Sequence, residues 1–443
     1  MPDHPHTPLP EAFVARIWRD FPEAAAILIE ALDGDVHKAV NLNRRKLRTR
    51  TGDEPVAWNR YGRFATGDFY PAYDPHWHSG AYYVMEAASQ VLDAVVSGIV
   101  DRAAPTTVLD LSAAPGGKTS VLLNALNDSA VLVSNEIHRG RAQILYENAV
   151  KQGRQNHVVS AAAPAAFNAL GAQFDLVVVD APCSGEGMFR KDYGARTEWS
   201  EANVAACAVR QTEILTEIAP CVREGGYLVY STCTFAALEN DDQIAGLLAS
   251  GGWESDTPDL TCFGAQACRH GMQFMPGFSP TEGLYIAVLR KTGEADTPQR
   301  KLKTVFAPVK ALPDDLPARL PDAGNLVSEG MRYWCMTDEV LEMANRLRNH
   351  RIPLLKAGIA IGELKGKQLV PDHEAALYAD AACHAHCDLD LDGALNYLRG
   401  EGGRGSVAKG WLAARYEGAV LGWMKGLGDR WNNAYPKTWR LRH

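Results

Sequence analysis

Two cysteines stand where thiol chemistry would need them. Cys183 lies in FDLVVVDAPCSGEGMFRKD (174–192), just after an apolar run that ends in Asp180. Cys233 ends the run GYLVYSTC (226–233). Both runs lack polar alternation and read as strands buried on both faces of a parallel sheet. Ligands of such sheets bind outside the carboxyl ends of the strands, so the two thiols should converge on one crevice. A lone Cys is more often a small buried hydrophobe than a catalyst; two at neighbouring strand ends shift the balance. A thiol is needed where carbon 5 of cytosine must accept a methyl group. A thiolate adding to carbon 6 makes the ring an enamine that attacks a sulfonium methyl, and loss of the carbon-5 proton and the thiol restores the ring. Such a thiolate must form near neutral pH, so its surroundings should lower its pKa. Asp180 could hold the exocyclic amine and share a proton with the ring. Methylation of the amine itself would use Asn or Asp, two prolines and an aromatic in place of DAPC, so carbon is favoured.

A donor site is suggested by TTVLDLSAAPGGKTSVLLNAL (106–126), which reads strand, glycine turn, helix. Gly116 and Gly117 let the backbone approach a ligand, and the helix start offers unpaired amides. A nicotinamide-dinucleotide fingerprint would need G-x-G-x-x-G, which is absent. A phosphate-binding loop is suggested by Gly117-Lys118-Thr119, but it needs Gly where Ser112 stands, and Pro115 removes an amide from the cradle. The third reading is an S-adenosylmethionine site formed by Asp110 and the turn. It expects an acid at the end of the next strand to bind ribose hydroxyls, and Glu136 in VSNE is there, about 20 residues on.

These residues need a scaffold, and the chain is long enough to supply it. Its 443 residues suggest roughly three domains, and 46% hydrophobic with 22% charged residues is an ordinary globular balance. Strands are expected at 106–112, 130–136, 157–161, 174–182, 226–233 and 283–291, with helical segments between them. That alternation is the signature of a doubly wound α/β sheet. Residues 10–50 read as helical, the Pro- and charge-rich passage 291–324 as a linker, and the end of the chain as a compact β module. The N-terminus, MPDHPHTPLPEAF, lacks the basic start and apolar run of a secretory signal, and no apolar stretch is long enough to span a membrane. A cytoplasmic location with no membrane partner is expected, and nine cysteines then read as core residues, ligands or catalytic thiols. The net charge of −8 argues against indiscriminate nucleic-acid binding, but basic tracts occur at Arg44, Arg45, Lys46, Arg48 and Arg50 and in the tail. There Lys425, Arg430, Lys437 and Arg440 are interleaved with Trp423, Trp431, Tyr435 and Trp439, as phosphate contacts plus base stacking would require. AACHAHC gathers Cys383, His384, His386 and Cys387 in an apparently helical stretch, at a spacing that fits neither CxxC pairs nor one helical face, so no metal is expected. Trp18, Trp58, Trp77 and Trp253 read as core or interface aromatics.

The motifs DLSAAPGGKTS, SNE, DAPCSGEGMFRKD and STCTF, in this order, resemble those of the Nol/Nop/Sun RNA cytosine-5 methyltransferases, as do GAYYVMEAASQ (80–90) and PTEGLYIAVLRK (280–291). The similarity covers roughly residues 10–291. IPLLKAGIAIGELKGKQLVPDHEAAL (352–377) and GWMKGLGDRWNNAYPKTWRLR (422–442) are similar to the C-terminal extension of bacterial ribosomal RNA members. The resemblance implies a Rossmann-like class I methyltransferase sheet with a small N-terminal α+β region and a C-terminal PUA-like β module. The corresponding boundaries are an RNA-binding region over 1–79, the methyltransferase domain over 80–292, a linker over 293–329, a connecting domain over 330–398 and the module over 399–443. It further implies Cys233 as nucleophile, Cys183 as an aid to product release, and S-adenosylmethionine held by Ser112, Ala113, Ala114, Pro115, Gly116, Gly117, Lys118, Glu136, Arg141 and Asp180. Arg141 reads equally well as an ion-pair partner of Glu136. RNA would be gripped by Lys425, Arg430, Tyr435, Lys437 and Arg440, the substrate being small-subunit (16S) ribosomal RNA, with transfer RNA or a non-catalytic assembly role as alternatives and a monomer as the expected state. Three positions depart from the family pattern: Ser112 replaces a common Cys, Ala163 falls where an Asp usually contacts adenine, which implies a weaker hold on the cofactor, and VNLNRRK lacks the Arg usually found two residues before Asn43, which weakens the expectation of RNA contacts there.

Overall fold

The computed structural model describes residues 7–46, 53–100, 106–295, 302–312, 324–378 and 385–442. The apolar runs form β1 (Thr107–Asp110), β2 (Val131–Asn135), β3 (His157–Ser160), β4 (Phe174–Asp180), β5 (Val222–Thr232) and β6 (Leu284–Lys291). Between them lie α1 (Gly117–Ala125), α2 (Arg139–Gln152) and α3 (Glu201–Ile218). Their order across the sheet is β6-β5-β4-β1-β2-β3. The first five strands are parallel, and β6 is antiparallel to β5. Successive side chains point to opposite faces, so the sheet carries two apolar layers. Leu109, Val133, Val177 and Leu228 pack with Ile214 of α3 on one side. Val108, Leu132, Val178 and Val229 pack with Val121 and Leu122 of α1 on the other. Strand order reverses between β1 and β4, where an open α/β sheet has its ligand crevice.

The flanking regions depart from the sequence reading. Helix stops at Ala31, and Ala39–Leu42 is a fully buried strand rather than part of a helical run to residue 50. That strand pairs with Gly62–Phe64 and Tyr82–Val84, so the N-terminal sheet closes beyond the expected boundary at 79. The neighbouring basic tract is engaged internally: Arg44 and Arg45 both ion-pair with Asp128, and Lys46 donates to the carbonyls of Ser79 and Lys151, each at 2.8 Å. Arg48 and Arg50 lie outside the described residues.

The expected linker is also partly structured. Phe306 is buried in the main core, and Ala307–Pro308 pairs with Asn325–Glu329. The connecting region contributes β7 (Leu354–Ala357), which extends the catalytic sheet antiparallel to β3. Lys356 of this strand forms a buried ion pair with Glu374 at 2.6 Å. Burial raises the Glu374 carboxyl above its usual range, against the pull of Lys356. Lys356→Met should destabilise the chain by about 3–5 kcal/mol, because it leaves a buried carboxylate without its counter-charge. A carboxyl whose folded pKa exceeds its unfolded one loses stability as pH rises through that range. Urea denaturation at pH 5 and pH 8 should therefore show the larger loss at pH 8.

The C-terminal module begins earlier than residue 399. His386–Leu389 is a strand parallel to Gly410–Tyr416, and the helix Leu391–Arg399 places Ala394, Tyr397 and Leu398 in the module core. His386 and Cys387 are thus in a strand, not a helix; Cys383 and His384 lie outside the described residues. Among the described residues no helix is long and apolar enough to cross a membrane.

Candidate active site

The crevice forms where the expected turn meets the strand ends. Gly116 caps α1 with φ +118°, a conformation that disfavours any side chain. Asp110, at the end of β1, is fully buried; Oδ2 accepts from Thr119 Oγ1 at 2.6 Å, while Oδ1 has no partner. Burial pushes this carboxyl up to about 7. Glu136, just past β2, is buried as well. Its Oε1 accepts from the His138 amide at 2.9 Å, and Oε2 makes no hydrogen bond, with Arg141 Nη1 3.2 Å away. Buried polar atoms are normally satisfied, so Asp110 Oδ1, which has no partner, and Glu136 Oε2, held only by its ion pair with Arg141, are free to accept from a donor-rich ligand at the glycine turn. Arg141 also donates to the Ala114 carbonyl at 2.7 Å, so it fixes the turn and Glu136 together. Ser112 and Pro115 reach the surface of the turn, whereas Ala113 and Ala114 are buried. Ala163 is the N-cap of the helix Pro164–Asn168 and makes no side-chain capping bond.

Lys118, on the first turn of α1, reaches across the switch point to Asp180 Oδ1 at 2.9 Å and to Ser89 Oγ at 3.3 Å. Ser231 Oγ donates to the same Asp180 oxygen at 2.9 Å. Burial disfavours the Lys118 charge, but Asp180, with Cys233 and Asp110, outweighs it and raises its pKa. The two thiols meet beside this pair: Cys183 and Cys233 are reduced, partly exposed, and have Sγ atoms 3.1 Å apart. The Cys233 amide donates to Cys183 Sγ at 3.3 Å. Cys183 is held well above the usual thiol range, first by its hydrogen bond to Cys233, then by burial and the nearby negative charges of Cys233 and Glu239.

Sequence reasoning missed what holds these loops. Glu186 accepts from the Phe235 amide and Trp199 Nε1 and ion-pairs with Arg16 of the N-terminal helix. Glu239 binds the loops that follow both cysteines. Gly187 leaves no room for a side chain, since a Cβ would lie 2.9 Å from the Cys233 carbonyl oxygen. Glu186 and Gly187 fall inside the motif around Cys183, but the partners of Glu186 lie 13 to 170 residues away.

The tail does not offer the expected stacking platform. Tyr435 is 2% exposed, with its hydroxyl 3.3 Å from His78 Nδ1. Trp423 is fully buried and donates to the Asp372 carbonyl at 2.8 Å. Trp439 packs on His373 and Tyr435. These aromatics form the core of the module and its seat on the neighbouring sheets, which removes Tyr435 as a base contact. Lys425, Arg430 and Lys437 remain exposed, and Arg440 is half-buried. Trp58 is buried and Trp77 and Trp253 partly so, but Trp18 is 50% exposed rather than part of a core.

A parallel sheet of this order, a glycine turn backed by buried carboxylates and a ligand crevice at the switch point define a Rossmann-like methyltransferase. Residues 99–290 match the family model described as 16S rRNA methyltransferase RsmB/F, and 385–441 match that of the methyltransferase RsmF PUA domain. "Ribosomal RNA small subunit methyltransferase F" of Vibrio parahaemolyticus is 28% identical over 98% of both chains. The protein of that name from Aeromonas hydrophila is 30% identical over 81% of this chain and 79% of its own. The chain belongs to the ribosomal RNA small subunit methyltransferase F family. Solved structures share the fold: a methyltransferase homolog from Pyrococcus horikoshii has TM-score 0.56 and 23% identity over 64% of this chain and 95% of its own. NSun6 from the same organism, solved with SFG, has TM-score 0.55 and 18% identity over 65% of this chain and 100% of its own.

Proposed function

We propose that this enzyme methylates carbon 5 of a cytosine in small-subunit ribosomal RNA, with S-adenosylmethionine as donor and Cys233 as the transient covalent nucleophile. The observation that carries this reading is the pair of thiols 3.1 Å apart beside the Lys118–Asp180 pair. The residues present fit the cofactor: Glu136 has a carboxylate oxygen to receive ribose hydroxyls, and residues 112–118 shape a backbone cradle. When bound, S-adenosylmethionine supplies the methyl group as a sulfonium. SFG, carried by the Pyrococcus NSun6 structure, is an analogue of that donor.

Within the crevice, Lys118 pairs with Asp180 Oδ1 and orients the carboxyl, so that its other oxygen can receive the exocyclic amine of cytosine. Cys233 adds to carbon 6, and the resulting enamine carries its carbon 5 to the methyl group. The Cys183 thiol lies 3.1 Å from the Cys233 sulfur, so as that sulfur leaves carbon 6 Cys183 can hand it a proton and take up the proton lost from carbon 5 in its place, which returns both thiols to their starting state. The target base has to leave its stack to enter a crevice at the strand ends. Exposed Lys425, Arg430 and Lys437 contribute phosphate contacts, which position RNA without reading its sequence.

Incubation with labelled S-adenosylmethionine and small-subunit ribosomal RNA, followed by bisulfite sequencing, tests the reading. A protected cytosine in that RNA is expected; label confined to transfer RNA, or to a nitrogen, would overturn the substrate or the atom. Glu136→Ala should weaken cofactor binding about 10- to 100-fold, as loss of hydrogen bonds to a charged group does. Unchanged calorimetric affinity would remove Glu136 from the site.

A further inference from the structure

Glu239 sits behind the thiols and not in the cofactor crevice. Its side chain is fully buried, yet both carboxylate oxygens are occupied. Oε1 accepts from Ser184 Oγ at 2.5 Å and from Thr234 Oγ1 at 3.3 Å. Oε2 accepts from the Ser184 amide at 2.9 Å and from Gln211 Nε2 at 3.0 Å. Ser184 and Thr234 are the residues that directly follow Cys183 and Cys233, and their hydroxyls are 2.9 Å apart. Gln211, on α3, also donates to the carbonyl of Pro182, the residue before Cys183, at 2.9 Å. The Glu239 backbone carbonyl is itself fixed by the Tyr230 hydroxyl at 2.7 Å.

Burying a carboxylate is costly unless it is fully hydrogen-bonded. An apolar side chain could fill this space at lower cost if packing were all that was required. A carboxylate instead gives one rigid group that grips two loops at once. We infer that Glu239 is a positioning residue that sets the separation of the two thiols by binding the residue next to each of them. Its importance for catalysis rests on the proposed thiol chemistry; its effect on sulfur geometry does not.

That difference allows a test without RNA. Diamide converts two neighbouring thiols to a disulfide, taking up the two electrons and two protons as it becomes the hydrazine. The wild-type pair should close readily. Glu239→Gln can keep its oxygen on the Ser184 amide and Gln211 and donate its amide to rotated hydroxyls, so it should close within about threefold of the wild-type rate. Glu239→Ala should close about tenfold more slowly, because the sulfurs are no longer held at bonding geometry. Its kcat should fall about 10²-fold with KM for RNA little changed, as expected for a misplaced reacting group. A folded Glu239→Ala protein with cooperative melting that closes at the wild-type rate would overturn the inference. If that variant does not fold, the double variant Ser184→Ala/Thr234→Val cuts both hydroxyl ties while keeping the carboxylate. Slowed closure there supports the positioning role, and wild-type closure overturns it. Unchanged closure beside an inactive Cys233→Ala enzyme would end the positioning role and leave the thiol chemistry standing. Slowed closure beside an active Cys233→Ala enzyme would do the reverse.

Discussion

Cys233→Ala is expected to lose methyl transfer by about 10⁴-fold or more, the scale seen when an enzyme loses its nucleophile. The size follows from the chemistry: without the thiolate at carbon 6, carbon 5 of cytosine has too little electron density to attack a sulfonium. Cofactor affinity should stay within about twofold of wild type, because Glu136, Asp110 and the glycine turn do not bond to Cys233. The side chain is partly exposed and lies at a strand end, so its truncation should leave the core intact. A rate assay paired with calorimetry checks both halves. Substantial turnover would move the nucleophile elsewhere, and lost cofactor binding would show that the substitution had damaged the crevice.

Cys183→Ala should do something different. The adduct should form and its methyl group be transferred, but breakdown should slow, since the thiol 3.1 Å from the Cys233 sulfur is gone. A protein–RNA species of reduced mobility is expected on a denaturing gel, with turnover lower by about 10²–10⁴-fold, the usual worth of a positioned proton donor. The species should vanish when Cys233 is also replaced. Its absence from the single variant, with activity lost, would count against a release role for Cys183. The same variant tests Glu239 indirectly: if the clip acts through Cys183, Glu239→Ala should accumulate a smaller amount of the same species.

The catalytic strands were legible in the sequence because buried parallel strands leave unbroken apolar runs, and Asp110, Glu136, Asp180 and Cys233 stand at or just past their ends. The doubly wound order then places Asp180 and Lys118 together, which no local pattern could do. Elements whose identity depends on distant partners were less legible. Ala39–Leu42 becomes a strand only by pairing with segments about 20 and 40 residues on, and Leu354–Ala357 only by docking on β3. The tail shows a different ambiguity. Tyr435 and Trp423 interleaved with basic residues fit both a stacking surface and the core of a small β module, and their burial decides for the core. Arg44 and Arg45 likewise read as a basic surface until Asp128 is brought to them. Glu239 lies 55 residues from Ser184, so the function of its carboxylate exists only in the folded chain.

The most direct measurement uses RNA transcribed with 5-fluorocytidine, in which fluorine replaces the proton that must leave carbon 5. After incubation with wild-type enzyme and S-adenosylmethionine, digestion and mass spectrometry should find a methylated fluorocytidine nucleotide attached to the peptide that contains Cys233. Turnover of ordinary RNA with no such peptide, or with the nucleotide on another residue, would contradict attack by the Cys233 sulfur.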